Sequence, residues 1–349
     1  MSEMPSAFLK RLRVNLFLVT RRRIPYPPSF KRVLSYLLVS FLLYVAFFIV
    51  PVFIQIYTIS LQTETPGNEI SETMLQAIDH PLRNVTHHSR VKAKRIPKIL
   101  HRTWKTRDLK SMPKKWKKAY RRCSTIYDQF HYKTILWTDE STRDFISNHY
   151  SWFLSQYESY PYNIQRVDAA RYFILYHYGG IYQDLDIKCK QSMEIIRRTM
   201  SFNRKEVLIP RTRPVGFSND IMISTPGNAF FLRLIDTLPS SNKWYGTPYL
   251  TVIFSTGPMF LSKVYHMMSA EAKSVIAILP QDMYSTRTNN TRIRFFTHLR
   301  GSSWHTTDGF LLTFLQKHVI IVLVFGVIIL YMKSVSQRKK KLFEKDQDK

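Results

Sequence analysis

The stretch YPYNIQRVDAARYFILYHYGGIYQDLDI, residues 160–187, decides the reading of this 349-residue chain. Pro161 suits the first turn of a helix. Gly179-Gly180 suits its end, because glycine accepts the left-handed conformation found after many helix C-termini. The body between them predicts a helix of about four turns, in which Asp168 and Arg171, three apart, are neighbours on one face. Beyond the glycines the chain is expected to run extended. Side chains at i and i+2 of a strand point the same way, so Asp184 and Asp186 would project together with Leu185 buried behind them.

Two carboxylates about 7 Å apart repel by ~2 kcal/mol at an effective dielectric of about 20, unless a cation or donors lie between them. Hard oxygen ligands select Mg²⁺ or Mn²⁺, which take one or two carboxylates together with substrate phosphates and water. The implied chemistry is departure of a metal-bound diphosphate, with the ion absorbing charge as the bond breaks. Arg171 offers a planar fork of donors for a diphosphate, and Asp168 an acceptor for sugar hydroxyls. A bare Asp-x-Asp is more often a solvated turn, and Asp168–Arg171 alone is an ordinary intrahelical ion pair. Their company in the sequence is what raises both.

Outward from this stretch, KRIPKILHRTW (residues 94–104) has a short apolar core after Pro97, consistent with a buried first strand and then a loop. A second strand is expected in FHYKTILWTD (130–139) and a third in GIYQDLDI (180–187), with helical patterns between them such as STRDFISNHYSWFLSQY (141–157). Strands alternating with helices predict an α/β domain with a mostly parallel sheet.

Residues 33–59, VLSYLLVSFLLYVAFFIVPVFIQIYTI, run without a charge for 27 residues, and a bilayer-crossing helix needs roughly 20. They predict a transmembrane helix, kinked near Pro51, acting as an uncleaved anchor. A second span is expected over 310–332, although its charge-free part, VIIVLVFGVIILYM, is only 14 residues. The tails 1–32 and 333–349 carry +7 and +4 of the net +28, so both ends are expected in the cytosol and +17 remains between the spans. The division expected is tail 1–32, span 33–59, stem 60–93, domain 94–309, span 310–332 and tail 333–349. A domain on the lumenal side meets no nucleic acid, which leaves membrane surface and anionic substrates as partners for its charge.

From Lys92 to Arg122 there are 14 Lys or Arg against one acid. KKWKKAYRR (114–122) sets Trp116 and Tyr120 on one helical face with basic neighbours, which suits either an anionic membrane surface or a plain solvated helix. Asn84 and Asn289 head glycosylation sequons in the expected lumenal region. Cys123 and Cys189 are the only cysteines, open to one disulfide or to two separate buried thiols.

IPKILHRTW followed by QRVDAARYFILYHYGGIYQDLDI resembles glycosyltransferase family 32, DXD sugar-binding enzymes that use nucleotide sugars on a GT-A fold. PVGFSNDIMIS (214–224), STGPMF (255–260) and GSSWHTTD (301–308) look most like its inositol phosphorylceramide mannosyltransferase branch. The resemblance implies a GT-A-type nucleotide-sugar-binding domain flanked by two transmembrane helices. It implies retaining, metal-dependent transfer of mannose from GDP-mannose to inositol phosphorylceramide, in the Golgi, with a small regulatory membrane subunit. Carried onto this chain it places His101 and Trp104 at the nucleotide, Asp168 and Arg171 at the donor sugar and diphosphate, Asp184 at ribose or sugar, and Asp186 on Mn²⁺ or Mg²⁺. Asn219 and Asp220 fall near the anomeric carbon or acceptor, with Trp304 near the phosphates and His305 as a further metal ligand. The rival expectations are an enzyme elongating N-glycans or mannans of glycoproteins, a non-catalytic lipid-binding membrane subunit, and a metal-dependent phosphohydrolase.

Overall fold

The computed structural model describes residues 30–62, 68–79, 94–212, 215–284, 295–299, 301, 307–309 and 335. The chain divides into two compact bodies, 1–51 and 52–349. In the first, α1 (Phe30–Tyr44) continues through a π-helical turn (Val45–Ile49) into α2 (Val50–Gln62), which passes into the second. Pro51 has no N–H to give the preceding turn, and the helix answers with the wider turn just ahead of it. Ser35–Leu61 are long and apolar enough to cross a membrane, and most of their side chains are exposed. Among the described residues this is the one helix of that kind. Residues 310–332, both sequons and most of the basic tails lie outside the described residues.

The second body is a three-layer α/β arrangement. A six-stranded sheet has the order β2-β1-β3-β6-β5-β7, built from β1 (Ile99–Thr103), β2 (Lys133–Trp137), β3 (Gly180–Gln183), β5 (Val207–Pro210), β6 (Ile221–Ser224) and β7 (Ile276–Leu279). Its pairings are parallel except those of β6, which runs against both β3 and β5. The sheet is therefore mostly parallel, as the alternation of elements predicts, with one reversed strand inserted. β4 (Ile187–Cys189) leaves it and pairs antiparallel with β8 (Phe296–His298).

Period-two alternation sorts each strand between two cores. Ile181, Leu208, Ile221, Ile223 and Ala277 face one side, beneath α3 (Glu72–Asp79), α4 (Lys114–Asp128) and α8 (Glu194–Phe202). Tyr182, Val207, Ile209, Met222 and Ile278 face the other, against α5 (Asp139–His149), α6 (Ser151–Ser159), α7 (Asn163–Tyr178), α9 (Ala229–Ser241) and α11 (Pro258–His266). Three short helices, α10 (Pro248–Ser255), α12 (Ala270–Ser274) and α13 (Gln281–Tyr284), and a 3₁₀ turn (Leu109–Ser111) complete the described elements.

Three local results differ from the sequence reading. The helical pattern over 141–157 breaks at Tyr150 into α5 and α6, because that ring is drawn edge-on against Phe145 and Phe173 and its hydroxyl bonds His177. Gly179 does end α7 with a positive φ, but its ψ of −159° is extended, a region open only to glycine, rather than left-handed helical. Part of the stretch read as stem is tied to the domain: Ile278 N–H donates to Asn68 O at 2.8 Å, Ile70 N–H donates to Ile278 O at 3.0 Å, and Leu75 of α3 is buried in the first core.

Cys123 of α4 and Cys189 of β4 form a disulfide, which settles the choice left open by the sequence. The bridge closes a loop with a sequence separation of 66, so its reduction removes about 4 kcal/mol of stability by loop-closure arithmetic. The expected outcome is a clearly lower urea midpoint after reduction and alkylation. An unchanged midpoint would show that the bridge constrains nothing.

Candidate active site

β3 stops at Gln183 and the chain turns at once, with Ile187 N–H donating back to Asp184 O at 3.2 Å. Asp184 and Asp186 therefore sit on a turn and not on the extended strand expected of them, although Leu185 is buried as expected. The turn is held from behind by Arg102, fully buried at the end of β1. Its Nη2 donates to Asp184 O at 2.8 Å and to Ile187 O at 3.2 Å, joining both ends of the turn. The Cys123–Cys189 bridge fixes the strand that follows.

α7 supplies the neighbouring pair. Arg171 Nη2 lies 3.0 Å from Asp168 Oδ1, the i, i+3 contact its spacing predicts. The same guanidinium reaches Asp184 Oδ2 at 3.2 Å through Nη1, donates to Asn219 O at 2.7 Å, and lies 4.7 Å from the Tyr182 ring centroid. Asn219 donates to Asp168 Oδ1 at 3.0 Å, and Thr256 donates to Asp168 Oδ2 at 3.3 Å. Tyr182 OH donates to Asp184 Oδ1 at 2.8 Å. Asp220 accepts from Ser218 Oγ and Tyr284 OH, both at 2.7 Å, and its backbone O accepts from Asp184 N–H at 2.8 Å. His298 Nε2 stands 3.5 Å from Asp220 Oδ2, an ion-pair contact too long for a well-formed hydrogen bond. The structure thus brings together Asp168, Arg171, Asp184, Asn219 and Asp220.

Asp186 differs from its neighbours in having no side-chain donor among the described residues. Burial, and then the carboxylates of Asp184 and Asp220, push it up to about 7, with His298 opposing. Burial also pushes Asp168 up to about 7 against the pull of Arg171, and raises Asp184. Burial would raise Asp220 too, but the nearby His298 imidazole and the hydrogen bonds from Ser218 and Tyr284 bring it below the usual carboxylate value. The backbone of Gly301 lies so close to Asp186 that a Cβ there would overlap the carboxylate.

Acids in excess of their cationic partners, with Asp186 the least neutralised, are a donor set that fits a hard divalent cation. Among the described residues no group of three His, Cys, Asp or Glu side chains forms a preformed metal cage. An ion of the Mg²⁺ type needs only one or two carboxylates when substrate phosphates complete its shell, which suits Asp186 with Asp184 beside it.

The remaining expected site residues fare differently. His101 is fully buried, with Nε2 2.9 Å from Gly179 O and Nδ1 accepting from Trp137 Nε1 at 3.1 Å, so one ring nitrogen is committed to the end of α7 and the other to β2. Trp104 follows the C-terminal end of β1, where open α/β sheets bind ligands. It is partly exposed, lies edge-on to Trp116, and donates from Nε1 to Ser111 Oγ at 2.8 Å. Trp304 and His305 lie outside the described residues. The sequence reading missed Arg102, Tyr182, Thr256, Tyr284 and His298. Only Tyr182 had a local signal, standing two residues before Asp184; Arg102 was hidden in a basic run.

The network makes itself felt in stability and in pH. Arg171→Met leaves Asp168 and Asp184 buried without their shared partner and lowers stability by about 3–5 kcal/mol, read as a loss in denaturant midpoint; a shift near zero would mean the acids find other partners. For pH, a carboxylate raised to about 7 in the fold keeps a proton that the unfolded chain has lost above about 4. Cation-free stability therefore falls as pH climbs through that window. Mn²⁺ should raise Tm more at about pH 8 than at about pH 5, since it needs Asp186 ionised, and a pH-independent Mn²⁺ shift in thermal melts would contradict the assignment.

The family described as glycosyltransferase sugar-binding region containing DXD motif matches residues 113–205, which enclose α7 and the Asp184–Asp186 turn. Inositol phosphoceramide mannosyltransferase 3 of Schizosaccharomyces pombe is 38 % identical over 265 residues, covering 71 % of this chain and 70 % of that protein. Mannosyl phosphorylinositol ceramide synthase CSH1 of Saccharomyces cerevisiae is 41 % identical over 245 residues, covering 68 % of this chain and 61 % of that protein. Inositol phosphoceramide mannosyltransferase 1 of S. pombe is 37 % identical over 254 residues, covering 71 % and 76 %. With the DXD turn at the end of β3 and relatives of this closeness across most of the domain, the chain belongs to the DXD-containing glycosyltransferases, the family of the inositol phosphoceramide mannosyltransferases.

Proposed function

We propose that this glycosyltransferase moves mannose from GDP-mannose to the inositol of inositol phosphorylceramide, releasing GDP. The observation that carries the reading is the incompletely neutralised Asp186 beside Asp184 and the Arg171 network, in a chain whose relatives are named for this lipid. The bond between mannosyl C1 and the diphosphate oxygen breaks, a bond from C1 to an inositol oxygen forms, and the hydroxyl proton is lost. Asp186, with Asp184, would hold Mn²⁺ or Mg²⁺, which when bound neutralises the diphosphate leaving group. Arg171 orients Asp168 and Asp184 toward the donor sugar, and Asn219 fixes Asp168 from the other side. Asp220, held below the usual carboxylate value, is an ionised acceptor for a hydroxyl proton near the reacting carbon. Trp104 is assigned to the nucleotide end. Trp304 and His305 are assigned to the phosphates and the metal on the resemblance alone. Retention of configuration rests on that resemblance too.

The disulfide supports a domain in an oxidising compartment, and the apolar helix over Ser35–Leu61 supports membrane anchorage. A second span over 310–332, glycans at Asn84 and Asn289, Golgi residence and a small regulatory membrane subunit complete the proposal. The test is transfer by membranes carrying the wild-type chain, Asp184→Asn or Asp186→Asn, offered inositol phosphorylceramide and N-glycan acceptors in parallel. Mannosylated lipid is expected from the wild type, with at least a hundredfold loss in each variant, on the order of one lost transition-state charge contact. Product on the glycan alone would replace the lipid reading, and full activity in both variants would remove the metal site.

A further inference from the structure

We propose that the outer face of α4 is an electrostatic docking surface for the anionic lipid headgroups of the membrane in which the chain is anchored. Three observations meet there. Lys114, Lys115, Lys118 and Arg121 are exposed, and none has an acidic partner among the described residues. The apolar side of the helix is already used: Ala119, Cys123 and Tyr127 are buried, Trp116 packs on Trp104, and the Tyr120 ring lies 5.9 Å from the Arg102 guanidinium. The aromatic residues that would suit insertion into lipid thus face the domain, and what α4 offers outward is charge.

The second observation is the chain's route. Residues 62–67 alone separate Leu61, the end of the apolar helix, from Asn68, which is bonded to β7 and to Lys205 Nζ at 2.8 Å. That connection reaches at most about 25 Å, so the edge of the domain at Asn68 stays near the surface the helix leaves. The segment continues into α3, which packs on the same side of the sheet as α4 and α8. The third is the charge contrast between layers. On this side α8 adds exposed Arg198, and Lys190 and Arg204 are exposed beside it. Across the sheet α5 presents Asp139, Glu140 and Asp144 against Arg143, which pairs with Glu158. A membrane bearing negative headgroups attracts α4 and its basic neighbours more strongly than it attracts α5.

The consequence reaches the active site through covalent structure. Cys123 joins α4 to Cys189, three residues beyond Asp186, and Arg122 Nε donates to Cys189 O at 2.9 Å. A docked α4 therefore holds the DXD turn beside the headgroup layer. The inference concerns where the domain rests and does not depend on which acceptor it mannosylates.

The test uses the full chain in nanodiscs of phosphatidylcholine alone or with phosphatidylserine added, with acetylation of individual lysines by a neutral reagent read by mass spectrometry. Lys114 and Lys115 are expected to react several-fold more slowly on the anionic discs, with the difference lost at high salt and exposed Lys243 unaffected. The double variant Lys118→Glu, Arg121→Glu should restore their labelling, since each lost charge weakens such contact by about fivefold. Equal labelling on both lipids, protection that survives high salt, or equal protection of Lys243 would overturn the proposal. The wild-type salt comparison decides even if the variant fails to fold.

Discussion

The site depends on one buried guanidinium. Arg171 is 2 % exposed and holds Asp168, Asp184 and the carbonyl of Asn219 at once. A buried ion pair is weak support for stability by itself, since desolvation offsets attraction. Its effect here is to give three segments a common centre. α7, the turn after β3 and the loop before β6 each present a partner to this one buried group, so their relative placement has little freedom. Asp186 lies just outside that compensation, which is why burial and its acidic neighbours raise it while Asp220, with its own donors, is brought down.

Holding the turn also requires support from the side away from Arg171. Arg102 supplies it by bonding the carbonyls at both ends of the turn, at the cost of burying a full charge whose Nε and Nη1 find no partner among the described residues. Burial brings that group's pKa down to about 10, still well above neutrality, so it remains cationic beneath the acids. The disulfide adds a covalent limit on how far β4 departs. The DXD turn is thereby clamped by charge on one side and by main chain and sulfur on the other, the preorganisation that electrostatic catalysis requires.

Much of this architecture is legible in the residues alone. The α/β class follows from alternating patterns, the Asp168–Arg171 contact from helical spacing, and the two strands β1 and β2 from their apolar cores. Errors arise where tertiary contacts override local pattern. Nothing in GIYQDLDI announces that the strand ends at Gln183, because the cause is Arg102, some eighty residues upstream. The basic run around Arg102 reads as a solvated face, and one member of it is among the most buried residues in the chain. His101 looks available for a nucleotide, but a strand residue facing a packed layer has its ring nitrogens claimed by that layer.

By itself the sequence determined which residue types face one another within an element, since the periods of 3.6 and 2 are properties of the backbone. It therefore established the helix with its ion pair, the glycine stop, the apolar helix and the acidic motif, and by resemblance the family. Only the tertiary structure decided that Asp184 and Asp186 sit on a turn, that Cys123 pairs with Cys189, that β6 runs against its neighbours, and that Tyr284 and His298 meet Asp220. Each of these depends on residues far apart in the chain meeting at one place, and local periodicity carries no information about such meetings.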